Sequence, residues 1–246
     1  MAEPVVSRDE WLVARRALLA SEKSLTAQRD EVSRQRRELP RVRMDKPYRF
    51  EGPRGEESLA DLFGGRSQLL VYHFMFGPGW EAGCPSCSFL CDHVDGALPH
   101  LAARDVGFVA VSRAPLAQIQ AFQQRMGWRF KWVSSHGSDF NHDFHVSSTA
   151  QEQADGRMQY NYGEIEFAGE ELPGVSAFCR DASGAVFHTY SSYTRGLDLL
   201  IGAYNWLDLA PKGRDEEGLS FTMAWVRHHD RYADEPVASC CGGHHG

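Results

Sequence analysis

The chain has 246 residues, 42% of them hydrophobic and 24% charged, with a formal net charge of −7. That composition supports one sizeable core with appendages, or at most two small domains. Its acidic balance excludes a general electrostatic grip on nucleic acid or on an anionic membrane.

The first residues, Met1 to Arg16, carry Asp9 and Glu10 where a secretory signal would be apolar. The longest apolar run, Leu69 to Phe76, is broken by His73 and is too short to span a bilayer. A cytoplasmic location is expected, where thiols stay reduced. Six cysteines there point to catalysis, metal binding or burial rather than to a disulfide framework.

In chain order, Ser7 to Leu39 reads as a helix opened by a Ser7/Glu10 capping box and closed by Pro40. Trp11, Leu18, Leu25, Val32 and Leu39 recur every seventh residue and form one narrow apolar ridge. Such a ridge lies against either the chain's own domain or a second subunit, so a homodimer through this arm is one of two expectations. Residues 1–40 are therefore set apart as an N-terminal arm, and the Arg-rich patch from Arg34 to Arg43 reads as a solvated face. Arg41 to Gly52 is extended, and Ser58 to Phe63 is a short capped helical turn before Gly64-Gly65.

Gln68 to Phe76 (QLLVYHFMF) has the composition of a buried central strand. A Gly/Pro loop, 77–83, leads to Cys84, and Pro85 to about Arg104 reads as one helix. Phe108 to Ser112 is a second buried strand, Pro115 to Met126 a helix, and Phe130 to Val133 a third strand. Residues 136–172 lack periodicity and read as an insertion. Val175 to Cys179 and Ala185 to Tyr190 form a hairpin, Leu197 to Leu207 a final helix, and 234–246 a flexible tail. Strands alternating with helices predict one α/β domain over 41–233 with a mixed sheet.

The strongest chemical signal is Gly83-Cys84-Pro85-Ser86-Cys87 between a buried strand and a helix. A thiol there faces unpaired backbone N–H groups, which favour the thiolate, the attacking species. Pro85 suits the first helical turn because it has no N–H to leave unpaired. Cys84, at the loop edge, is expected to attack, and Cys87, inside the first turn, to resolve the mixed disulfide.

The run from about Phe50 to Tyr193 resembles the thioredoxin superfamily. The segments SLADLFGGRSQLLVYHFMFGP, CPSC, SDFNHDFH, LPGVSAFCRD, HTYSSYTRGLD and HHDRY resemble the thioredoxin-like family catalogued as domain of unknown function 899. The resemblance covers nearly the whole chain. It implies a three-layer α/β/α fold, a redox pair of Cys84 and Cys87, and a cis-proline at Pro173 facing the thiols. Two departures stand out: Gly83 occupies the place where thioredoxin has Trp, and no peroxidatic Thr/Pro/Cys pattern is present.

Cys91 follows Cys87 by four residues, so three thiols share one helix face. A CxxxC spacing in this fold resembles copper-handling Sco-type proteins, which add a distal histidine. Copper or zinc on Cys84, Cys87, Cys91 and His145 is accordingly the alternative, with His136, His142, His188 and His228/His229 as further donors. The tail SCCGGHHG also holds soft ligands, in a segment too flexible for a preformed site.

The leading expectation is a dithiol–disulfide oxidoreductase that needs no cofactor and works on a thiol or disulfide substrate or a reductant protein. In it the 136–172 insertion shapes the substrate site. A metal-dependent redox protein and a non-enzymatic partner-binding module using the arm are the two alternatives.

Overall fold

The computed structural model describes residues 4–234. The Cys/His tail expected at 234–246 falls, from residue 235 onwards, outside the described residues. The chain divides into two compact units, Met1–Arg41 and Val42–Gly246.

The first unit is α1 (Arg8–Glu38), whose expected capping box is present: the Glu10 N–H donates to Ser7 Oγ at 3.3 Å and the Ser7 N–H to Glu10 Oε2 at 2.9 Å. Trp11, Leu18, Leu25 and Val32 are all exposed along it.

The second unit contains, in chain order, β1 (Val42–Arg43), β2 (Arg49–Gly52), β3 (Gly55–Ser58) and β4 (Gln68–His73), then α2 (Pro85–Cys91) and α3 (Leu98–Ala103). It continues with β5 (Val106–Ser112), α4 (Leu116–Met126), β6 (Lys131–Ser134), α5 (Phe140–Asp143) and α6 (Ala150–Asp155). It closes with β7 (Arg157–Tyr160), β8 (Gly163–Glu166), β9 (Gly174–Arg180), β10 (Val186–Tyr193) and α7 (Gly202–Leu207), with short 3-10 turns between. Eight of these strands form one sheet in the order β1-β10-β9-β4-β5-β6-β2-β3. β4, β5 and β6 run parallel, and β9 and β10 return antiparallel. Parallel strands joined through helices and flanked by an antiparallel hairpin make the thioredoxin-like arrangement expected above.

β4 is central and buried on both sides, which its alternation exploits. Tyr72, followed by Phe74 and Phe76, packs with α2, α4 and α7, whereas Leu69 and Val71 pack with Phe140, Phe144 and Val146. The first face is covered by helices. The second is covered by the 3-10 turn Asp61–Phe63, α5 and the inserted segment.

The single helix expected over 85–104 is broken into α2 and α3. Pro99, at the start of α3, cannot donate to a preceding turn. The carboxylates in the gap are engaged elsewhere: Asp92 Oδ1 accepts Trp128 Nε1–H at 2.8 Å, and Asp95 accepts the N–H groups of Arg129 and Phe130 at 2.8 and 3.0 Å. The helix expected over 197–207 is likewise a 3-10 turn, Thr194–Leu200, followed by α7. The 136–172 segment is not structureless: it carries α5, α6 and the β7–β8 hairpin.

Candidate active site

Past His73 the chain keeps pairing beside β5: Phe74 N–H donates to Val111 O at 2.9 Å, and Ala114 N–H to Phe76 O at 2.8 Å. The 77–83 loop then turns back, so that Cys84 N–H donates to Met75 O at 3.0 Å. A Cβ on Gly83 would lie 2.6 Å from Phe74 Cε1 and 2.8 Å from Phe122 Cε1. The rings leave no room for a side chain there, which accounts for glycine where thioredoxin has Trp. Trp80 sits further back and donates Nε1–H to Glu170 Oε2 at 3.0 Å.

Cys84 caps α2 and is half-buried, whereas Cys87 and Cys91 are fully buried; all three are thiols rather than disulfides. The Cys84 thiol is brought down to about 7, chiefly because the Cys87 side chain hydrogen-bonds to it. The backbone N–H groups of Cys87 and Ser86 act in the same sense against the opposing effect of burial. These are local donors to sulfur at the start of a seven-residue helix.

Burial pushes Cys87 well above the ordinary thiol range, and the adjacent Cys84 sulfur adds to it. The pair is therefore asymmetric, one sulfur poised as an anion and the other as its S–H donor. Cys91 is pushed up by burial and by the nearby Asp92 and Asp95, and stays a neutral core thiol.

Tyr72 comes to the pair from β4. Its side chain hydrogen-bonds to Cys87, and its full burial holds the phenol protonated. Sequence reasoning treated Tyr72 only as part of a buried strand; its place on the helix-facing side of the alternation was the available signal. A cavity of about 230 Å³ adjoins it, lined by Tyr72, Cys87 and Pro173 among others.

Pro173 thus lines the same cavity as Cys87, but the expected cis bond is not found: every described peptide bond is trans. The trans chain leads straight into β9, and Tyr160 Oη–H donates to the Pro173 carbonyl at 2.6 Å. Tyr160 belongs to the inserted hairpin, which so reaches the thiol side. Asp139 and Asp143 instead bind Lys46 at 2.8 and 2.6 Å, and Asn141 accepts from Ser135 at 2.8 Å.

The HHDRY segment is fastened around the start of α2. His228 Nε2–H donates to the Gly83 carbonyl at 2.8 Å, while its Nδ1 accepts from Arg125 at 3.2 Å. Arg125 is bidentate on Asp230 at 2.8 Å, and His229 Nδ1 lies 2.6 Å from Asp92 Oδ1. Both histidines, read in sequence as metal donors, are hydrogen-bonded, His228 to the backbone carbonyl next to Cys84 and His229 to the Asp92 carboxylate at the end of α2.

Behind β4, on the face away from the thiols, lies a second buried polar system. His73 Nε2, Ser176 Oγ, Ser191 Oγ and His188 Nε2 follow one another at 2.8 Å steps. Burial lowers His73 to about 3, and its Nδ1 has no hydrogen-bond partner among the described residues. Buried Glu171 accepts Ser147 Oγ–H at 2.6 Å and faces Arg113 at 3.3 Å, and burial still raises it to about 7.

The metal set expected from the sequence is not brought together. Cys84, Cys87 and Cys91 lie on α2, while His145 is exposed beyond α5 in a left-handed conformation, with φ 55°. Among the described residues no three His, Cys, Asp or Glu side chains are grouped so as to hold a metal ion. Cys240, Cys241, His244 and His245 lie outside the described residues. No described helix is long and apolar enough to cross a membrane.

Among solved structures the chain is similar to the peroxidoxin BcpB of Mycobacterium tuberculosis, at 12% identity and a TM-score of 0.40, over 67% of this chain and 94% of that one. It is also similar to the bacterioferritin comigratory protein of Xanthomonas campestris, at 13% identity and 0.43, over 67% and 94%. A third similarity is to a mutant of PrxQ from Xylella fastidiosa, at 10% identity and 0.41, over 68% and 94%. No curated protein matches the chain. The profile of a family described as bacterial protein of unknown function, DUF899, matches residues 1–232, and the chain belongs to that family.

Proposed function

We propose that the protein is a dithiol–disulfide oxidoreductase in which Cys84 attacks and Cys87 resolves. The observation that carries this reading is the half-buried Cys84, its sulfur held in the hydrogen bond of a fully buried Cys87 thiol. The Cys84 thiolate attacks one sulfur of a substrate disulfide, and the substrate S–S bond breaks with its electron pair on the departing thiolate. Once Cys84 is tied up in the mixed disulfide it is neutral, so its charge no longer opposes ionisation of Cys87, and the Tyr72 hydroxyl supports the new anion.

The Cys87 thiolate then bonds to Cys84 as the second substrate sulfur leaves with its electron pair, and the proton lost from Cys87 ends on that leaving sulfur. One protein dithiol is oxidised and one substrate disulfide reduced. The test is trapping. Cys87→Ser should accumulate a mixed disulfide on Cys84 after exposure to a disulfide substrate, seen as an added mass, and Cys84→Ser should accumulate none. Equal behaviour of the two variants would overturn the assignment.

A further inference from the structure

The cavity of about 230 Å³ opens on Cys87 and not on Cys84, which forms no part of its wall. The wall is largely apolar, with Met75, Leu90, Leu197 and Ile201, and it shares Arg195 and Thr222 with a polar depression of mixed charge that holds Lys212, Arg214, Asp215, Glu216 and Glu217. Each half of the thiol pair thus has its own approach: Cys84 from the loop edge, Cys87 through this cavity.

We infer that the oxidised centre is regenerated through the cavity by a low-molecular-weight thiol, which attacks Cys87 and expels Cys84. This rests on the dithiol reading above. The incoming thiolate forms a bond to the Cys87 sulfur, the Cys84–Cys87 bond breaks, and its electron pair leaves on Cys84. A second thiolate attacks the small molecule's sulfur in the Cys87 adduct, releasing a small disulfide and the Cys87 thiolate, which takes a proton from the medium. Two small thiols are oxidised and one protein disulfide is reduced.

Three observations favour this side. Exchange runs in line, so attack on Cys87 comes from the side away from Cys84, and the cavity borders Cys87 without including Cys84 in its wall. The sulfur expelled in the first step is the one met by the N–H groups of Ser86 and Cys87, which receive the leaving thiolate. The cavity is below the range of drug-sized ligand sites, so it suits a thiol of a few heavy atoms rather than a peptide.

The experiment is to oxidise the protein, add mercaptoethanol, quench with acid and locate the adduct by fragment ions across Pro85–Ser86. The adduct is expected on Cys87. Thr222→Trp, an exposed rim substitution that leaves the core alone, should slow reduction by mercaptoethanol about tenfold by restricting access. An adduct on Cys84, or an unchanged rate in Thr222→Trp, would overturn the inference while leaving the dithiol reading intact. If no Cys84–Cys87 disulfide forms on oxidation, the dithiol reading itself falls, and this inference with it.

Discussion

Replacing Cys84 with serine should abolish turnover against a disulfide, a loss on the order of 1,000-fold, because a serine hydroxyl at neutral pH offers almost no anion to attack with. Cys87→Ala should behave differently. The Cys87 hydrogen bond is the largest cause of the lowered Cys84 pKa, so its removal moves Cys84 from about 7 towards the ordinary thiol value of 9.0. At pH 7 that reduces the thiolate fraction by at most about fiftyfold. A more basic thiolate is also intrinsically the better nucleophile, by about sixfold to tenfold for such a change.

The net expectation for alkylation of Cys84 in Cys87→Ala is a rate about fivefold slower at pH 7 and several-fold faster above pH 9. A stopped-flow alkylation series across that range reads the crossover. Parallel curves for the wild type and the variant would show that Cys87 does not control Cys84.

The second large effect is on stability, and its sign depends on which buried group is removed. His73 is lowered to about 3 in the fold, against 6.5 when exposed. Its contribution is present above 6.5 and is lost as pH falls towards 3, amounting to about 3 kcal/mol by pH 4.5. His188, also lowered by burial, acts in the same direction. Glu171 is raised to about 7 from 4.5, so its contribution is present below 4.5 and is lost as pH rises through 7, again by about 3 kcal/mol.

The two slopes oppose and largely offset each other in the wild type between pH 4.5 and 7. His73→Gln, which keeps a donor towards Ser176, should therefore gain stability relative to the wild type on acidification. Glu171→Gln should lose it. Urea midpoints at pH 4.5 and 7 measure this directly. Variants that track the wild type at both values would contradict the burial argument for these groups.

The parts of this molecule that were legible in the sequence are those fixed by neighbours in the chain. The run QLLVYHFMF declares a central strand because both of its faces are apolar, and β4 occupies that place. CPSC after a glycine loop declares a capped thiol because Pro85 and the two-residue spacing are local. The misread parts depend on distant partners. The helix over 85–104 breaks where Asp92 and Asp95 reach Trp128, Arg129 and Phe130, more than 30 residues on.

The cavity wall draws Pro173, Thr194, Arg195 and Thr222 from segments far beyond the thiols, so no spacing could announce it. The same holds for His228 on the Gly83 carbonyl, 145 residues away in sequence, which periodicity cannot distinguish from a free ligand. Pro173 was placed by analogy with a motif's spacing, and spacing carries no information about the isomer of the bond before it.

At the root of the functional account lies the acidity of a single sulfur, held by donors from Ser86 and Cys87 at the head of a short helix. Measuring the pH dependence of alkylation at Cys84 in the wild-type protein, with the label mapped to that residue, reports it most directly. The expected midpoint is about 7. A midpoint near 9, that of an unassisted thiol, would contradict the account.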